Sequence, residues 1–239
     1  MLSRAIVLRT LKYNDDSLIT HVLTEETGCR SMIVRIRRTK RATVRHTLFQ
    51  PPAILSIEWD ERPNAELQRP TSVQTAFPFS SIPYEPYKNA IALFLSEFIY
   101  YAVKNEPDTR IIFEYLERSL EWLDTAEKGF SNFHLVFLLR LTRFLGFAPN
   151  IRNAAPGRYF DLRGSLFTET VPTHTDYLNT NDSMLVPKLM RMAFSNMHVF
   201  KFNGAERSRL LEYINLYYSL HVPNFPKLKS LAVLKELFQ

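Results

Sequence analysis

The hydrophobic period of this chain changes once. Before residue 78 apolar residues recur at every second position, and beyond Pro78, Pro83 and Pro86 they recur every three to four. A period of two belongs to strands with one buried face, and a period near 3.6 to helices with a buried stripe. Proline neither donates to a sheet ladder nor continues a helix, so this cluster reads as a junction. The expected class is therefore α+β, with a β domain over residues 1–80 and an α-helical domain over 81–239.

The β part resolves into short runs. Ser3–Lys12 and Leu18–Thr24 flank the turn Asn14-Asp15-Asp16-Ser17, and Glu25-Glu26-Thr27-Gly28 precedes Cys29–Ile36. Ala53–Trp59 alternates, with Ala53, Leu55, Ile57 and Trp59 on one face. Beyond a turn at Arg62-Pro63-Asn64, Leu67, Thr71, Val73, Thr75 and Phe77 share a face of a fifth run, with Pro70 suited to an edge or a bulge. Five strands in so short a segment favour a five-stranded OB-fold β-barrel, with an SH3-like barrel as rival.

In the helical part, Tyr87, Ile91, Phe94, Leu95, Phe98 and Ala102 form one stripe. Asp108 can cap a second helix reaching Asp124, and Ser131 a third. The third is apolar on most sides through Leu145, which predicts a central buried helix ended by Gly146. Residues 148–180 read as an irregular insertion containing a small hairpin, Tyr159–Leu162 and Ser165–Glu169. Helices over Ser183–Asn196, Ala205–His221 and Leu228–Phe238 complete the chain.

Few catalytic constellations are available. The chain has 6 glycines and neither a P-loop nor GxGxxG, which argues against a phosphate-cradling ATPase. Its one cysteine, Cys29, permits no intrachain disulfide and no cysteine-based zinc site. The six histidines lack HxH or HxxxH spacing; His174 and Asp176 fall on one face of an expected strand but lack further ligands. Asp15-Asp16 and Glu25-Glu26 read as solvated turn residues, although a metal-dependent nuclease could use such carboxylates. No catalytic residue, metal site or cofactor is expected. No apolar stretch approaches the roughly 20 residues of a membrane span, and no signal-peptide pattern opens the chain, so a cytoplasmic, nucleoid-associated protein is expected.

Charge is the positive signal. The chain carries +6 overall. Residues 1–80 hold 12 Lys/Arg against 8 Asp/Glu, a net of +4. Arg30, Arg35, Arg37, Arg38, Lys40, Arg41 and Arg45 occur with no acidic residue between Glu26 and Glu58. Uncompensated cations on a barrel loop suit a polyanion, so these seven are the candidate DNA-binding residues. Aromatics for base stacking are sparse: Tyr13, Phe49 and Trp59, of which Trp59 also suits the core. Binding dominated by phosphate contacts and tolerant of sequence is therefore expected. Arg140 and Arg143, three apart on the apolar third helix, could rim a groove for an acidic peptide tail.

Taken in order, these segments resemble the RecO family. Ala5-Ile-Val-Leu-Arg9 is similar to its first strand, Thr24-Glu-Glu-Thr-Gly28 to its Thr-Glu-x-x-Gly turn, and Arg35-Ile-Arg-Arg-Thr-Lys-Arg41 to its basic loop. Leu139–Pro149 resembles its LLxxLGFxP helix end, and Tyr217-Tyr-Ser-Leu-His221 with Lys229-Ser-Leu231 its C-terminal helices. The resemblance spans nearly the whole chain and rests on collinearity. It implies an OB-fold followed by a helical domain and a DNA repair and recombination mediator without enzymatic activity. Such a mediator binds single- and double-stranded DNA, anneals complementary strands and helps load RecA on strands coated by single-stranded DNA-binding protein (SSB). RecR and the SSB C-terminal tail are the implied partners, and RecA an indirect one.

Two departures stand out. Many family members carry a zinc-binding cysteine cluster where this chain reads Asn150-Ile-Arg-Asn-Ala-Ala-Pro-Gly157, which implies a zinc-free variant. The family's basic loop often carries glycine where Ile36 stands. Two other readings compete with the mediator: a metal-dependent nuclease acting on bound DNA, and an OB-containing RNA-binding adaptor.

Overall fold

The structure, a computed structural model, describes residues 1–36, 46–62 and 65–237. They form two compact units, Met1–Thr125 with Leu228–Leu237, and Ala126–Lys227.

The first unit is built on a curled sheet. Its strands are β1 (Leu2–Asn14), β2 (Ser17–Thr24), β3 (Gly28–Arg35), β4 (Ile54–Trp59), β5 (Leu67–Gln68) and β6 (Pro70–Phe77), in the order β5-β3-β2-β1-β4-β6. β5 pairs in parallel with β3, Met32 opposite Gln68, and β6 pairs antiparallel with β4, Ile57 opposite Val73. One continuous run, Leu67 to Phe77, therefore joins both ends of the sheet, which is the strand order of an OB-fold. The alternation in the sequence puts Ala5, Val7, Leu18, Val22, Met32, Val34, Leu55, Ile57 and Trp59 into one core inside the curl.

One strand expectation needs correction. The fifth run is two strands that part at Arg69, where pairing passes from β3 to β4, and Gln68 turns its amide onto the preceding loop. Its Oε1 accepts from Arg62 N at 3.0 Å, and its Nε2 donates to Arg62 O at 3.0 Å and Ala65 O at 2.9 Å. A register shift lies where Trp59 faces Pro70, so the proline occupies the irregularity its missing N–H calls for. Gly28, at φ +72°, closes the β2–β3 turn in the left-handed region open to glycine.

Two helices complete most of this unit, α1 (Pro86–Val103) and α2 (Arg110–Thr125). Glu85 caps α1, its Oε2 accepting from Lys88 N at 2.7 Å, and Asp108 Oδ1 accepts from Arg110 N at 3.2 Å ahead of α2. The stripe Ile91, Phe94, Leu95, Phe98 and Ala102 is buried. The junction after the sheet is clasped by Asp124, whose carboxylate accepts from the backbone N–H of Ser80, Ser81 and Ile82, each at 2.8 Å.

The second unit opens with α3 (Phe133–Phe144), which is buried on most sides. Its N-cap is Asn132, not Ser131. The Asn132 side chain does not cap the helix; Nδ2 donates to Met197 O at 3.0 Å and Phe200 O at 2.8 Å, anchoring a later loop. Gly146 ends the helix as expected, at φ +82°, with Phe147 N donating to Thr142 O at 3.1 Å in the Schellman pattern. The insertion holds three short strands, β7 (Tyr159–Asp161), β8 (Leu166–Thr168) and β9 (Tyr177–Leu178), ordered β8-β7-β9. The helix expected over Ser183–Asn196 is α4 (Leu185–Met190), flanked by single 3-10 turns. A capping box at Asn203 and Glu206 starts α5 (Gly204–His221).

The last helix, α6 (Ser230–Leu237), returns to the first unit. Glu97 on α1 caps it, its Oε2 accepting from Ser230 N at 2.8 Å.

Candidate nucleic-acid interface

The residues singled out by charge fall into three groups. Arg37, Arg38, Lys40, Arg41 and Arg45 lie outside the described residues. Arg30 and Arg35 sit on β3 at opposite parity. Arg140 and Arg143 sit on α3 in the second unit.

Local geometry decides which described cations are open to an anion. Arg4 is occupied: its guanidinium grips Glu25 at 2.8 Å and both Glu117 oxygens at 2.7 Å. Hydrogen bonding to Arg4 holds the Glu25 carboxyl below its ordinary range, whereas burial raises that of Glu117. Lys12 is paired with Asp15 at 2.8 Å. Arg9 donates to the Tyr101 hydroxyl at 3.1 Å and lies over the Tyr100 ring. Arg30 is partly engaged, 3.7 Å from Glu61. Arg35 and Arg69 are both exposed, and neither has an ion-pair partner among the described residues.

Arg35 and Arg69 line one cleft of about 500 Å³, together with Tyr13, Asn14, Ser17, Ile33 and Pro70. Three backbone features build it. The β1–β2 turn is held by Asn14 Oδ1, which accepts from Asp16 N at 3.0 Å. The end of β3 is tied to that turn by the Ser17–Arg35 pairing and by Ile36 N donating to Asp16 O at 2.8 Å. The parallel Met32–Gln68 pair sets Arg69 at the step between β5 and β6. Tyr13 is 60% exposed, whereas Phe49 and Trp59 are fully buried and unavailable for stacking. Of the three aromatic candidates, Tyr13 alone remains. Arg69 is absent from the sequence-derived set because it stands far from the Arg30–Arg45 cluster. Only a long-range strand pairing brings it to Arg35.

In the second unit, Arg140 is half-buried, its guanidinium 5.9 Å from the Phe194 ring centre, and Arg143 is exposed beside the exposed Phe144. Neither lines the small apolar cavity between Leu139, Phe160, Leu189, Ile214 and Tyr217. The groove these arginines were expected to rim is therefore not this cavity.

Other candidates resolve into structure. Cys29 lies on β3 with Sγ 3.8 Å from Val103 O, and burial pushes its thiol up to about 12, the opposite of a reactive cysteine. His174 and Asp176 are not strand neighbours. They lie in the bend before β9, where His174 Nε2 faces Asp161 at 3.3 Å and Asp176 pairs with Arg163 at 2.6 Å. Among the described residues no group of three His, Cys, Asp or Glu is placed to hold a metal ion. The β7–β8 turn is secured by side-chain contacts. His221 Nε2 donates to Leu162 O at 2.8 Å, its ring stacks on Phe147 at 4.9 Å, and the Tyr217 hydroxyl lies 2.6 Å from Ser165 Oγ. Among the described residues no helix is long and apolar enough to cross a membrane.

Comparison with known proteins covers both units. The family descriptions "Recombination protein O N terminal" and "Recombination protein O C terminal" match residues 1–79 and 83–232. A protein of Bacteroides fragilis named DNA repair protein RecO is 50% identical over 234 residues, covering 98% of this chain and 97% of the relative. Its namesake in Phocaeicola vulgatus is 44% identical over 233 residues, with 98% and 97% covered. That of Porphyromonas gingivalis is 31% identical over 243 residues, with 100% and 99% covered. With both units matched and identity running through the whole length, the chain belongs to the RecO family.

Proposed function

We propose that this protein is a DNA repair and recombination mediator that works by holding DNA. The observation that carries the reading is the open cationic cleft at the β1–β2 turn, on the barrel of a chain matched end to end by proteins named for DNA repair. It binds single- and double-stranded DNA and anneals complementary strands. Two DNA strands repel through their phosphates, and bound arginines lower that repulsion and raise the encounter rate. Complementary bases then pair without a catalytic residue. Arg30, Arg35, Arg37, Arg38, Lys40, Arg41 and Arg45 make the phosphate contacts, and no cofactor is needed. With RecR, the protein helps load RecA on SSB-coated strands. Arg140 and Arg143, beside exposed apolar surface on α3, receive the acidic SSB tail.

The test is annealing of SSB-coated complementary strands with and without RecR, comparing the wild type with a variant carrying Gln in place of Arg35, Arg38, Lys40 and Arg41. Loss of annealing that tracks loss of DNA affinity supports the reading. Unchanged annealing overturns it, as does cleavage of DNA in magnesium or manganese.

A further inference from the structure

The cleft at the β1–β2 turn has a composition that plain phosphate binding does not require. A site that only neutralises a backbone needs cations. This one also presents an exposed phenol ring, Tyr13, and an apolar wall made by Ile33 and Pro70. At about 500 Å³ it falls within the roughly 300–1,000 Å³ typical of sites for small ligands. In a duplex the base faces are stacked on one another and cannot reach a side chain, whereas an unpaired base offers its face freely.

We propose that this cleft holds one unpaired nucleotide, its base stacked on Tyr13 and its flanking phosphates on Arg35 and Arg69. The proposal rests on the barrel being a polynucleotide-binding unit and deepens that reading by naming the ligand of one part of it. The pocket closes from both sides: β1 brings the ring, the end of β3 brings one guanidinium, and the β5–β6 step brings the other. No acidic side chain forms an ion pair with either guanidinium among the described residues. Asp15, at the adjacent turn, is engaged by Lys12 at 2.8 Å. Stacking reads no sequence, because every base has a π face, so the site discriminates unpaired from paired strands and not one base from another. A mediator with such a cleft registers where pairing is incomplete and releases that nucleotide once it pairs.

The experiment measures affinity of the full chain for a dT oligonucleotide, an rU oligonucleotide and a blunt DNA duplex of equal length, at several salt concentrations. The proteins are the wild type, Tyr13→Ala, Tyr13→Phe and Arg69→Gln, each checked for an unchanged melting temperature. Tyr13→Ala is expected to weaken single-strand binding by about 5- to 150-fold, the span for loss of one base–aromatic stack, and duplex binding by less than about 2-fold. Tyr13→Phe keeps single-strand affinity within about 2-fold, because the ring face is retained. Arg69→Gln flattens the single-strand salt dependence by a slope of about 0.7. Equal losses with dT and rU assign the cleft to unpaired strands of either sugar; a loss with dT alone assigns it to DNA. Both support the proposal. Equal losses on single strand and duplex, or no loss on either, overturn it. If the Arg35/Arg38/Lys40/Arg41 variant still loses all affinity in those cases, the polyanion reading survives and only the nucleotide pocket fails.

Discussion

Replacing Asp124 by asparagine removes one charge from the clasp at the end of the sheet with almost no change in shape. The Asp124 residue is 4% exposed, and its carboxylate accepts from Ser80 N, Ser81 N and Ile82 N, each at 2.8 Å, and from Ser80 Oγ at 2.9 Å. Burial alone would raise its pKa, but these donors bring it down to about 2 from an ordinary 3.8. A shift of that size corresponds to about 2 kcal/mol of folding stability at neutral pH. Because the folded value lies below the unfolded one, the contribution is complete above about pH 5. It falls as pH drops through the two values and is gone near about pH 1. In the Asp124→Asn variant the side chain keeps one acceptor oxygen and turns an N–H₂ group toward Ser80, so the expected loss at pH 7 is about 2–3 kcal/mol. In a chain of this size that lowers the melting temperature by roughly 4–12 °C. Urea unfolding followed by the fluorescence of Trp122, two residues away on α2, reads the gap directly. The gap between wild type and variant should shrink to about half at pH 3. A gap below about 0.5 kcal/mol at pH 7, or one that does not narrow with acid, refutes the reasoning.

Three further outcomes follow from the same geometry. Cys29 should react with a thiol reagent at pH 8 far more slowly in the native protein than in urea, since burial holds the thiol at about 12; equal rates would contradict that burial. His221→Ala should raise amide hydrogen exchange over Tyr159–Thr168, at a local cost of about 1–3 kcal/mol, and leave Ala5–Val7 unchanged. Loss of protection in both places, or in neither, would dismiss the clip. Arg35→Gln should flatten the salt dependence of single-strand binding more than Arg30→Gln, because Glu61 already engages Arg30; the reverse order would show that the Arg30–Glu61 pair is open in solution.

Where periodicity and punctuation decide structure, the chain was readable before folding. The alternation of Leu55, Ile57 and Trp59 gives the barrel core, and Gly28 and Gly146 mark turns that require positive φ. Where one side chain chooses between two uses, sequence is blind. Gln68 reads as an ordinary strand residue, and nothing local announces that its amide makes three hydrogen bonds to the loop before it. Asn132 stands at the start of α3 with no capping bond, its amide claimed by carbonyls more than sixty residues away. The candidate interface divides in the same way. Arg35 announces itself through local charge density and Tyr13 as one of three sparse aromatics, whereas Arg69 joins them through strand register alone. Phe49 looks available for stacking until the core closes over it.

The run from Leu67 to Phe77 that joins both ends of the sheet also sets an order of events during synthesis. A nascent chain that has emerged only through Trp59 carries β1 to β4 with two open edges, on β3 and on β4, each able to pair with a neighbouring chain. Both gain a partner from the same eleven residues, β3 at Ser31 and Met32 and β4 along Ile54–Trp59, so one segment covers the two edges together. Until then the β3 edge ends in Arg35, and an edge strand that ends in charge resists strand addition by a copy of itself.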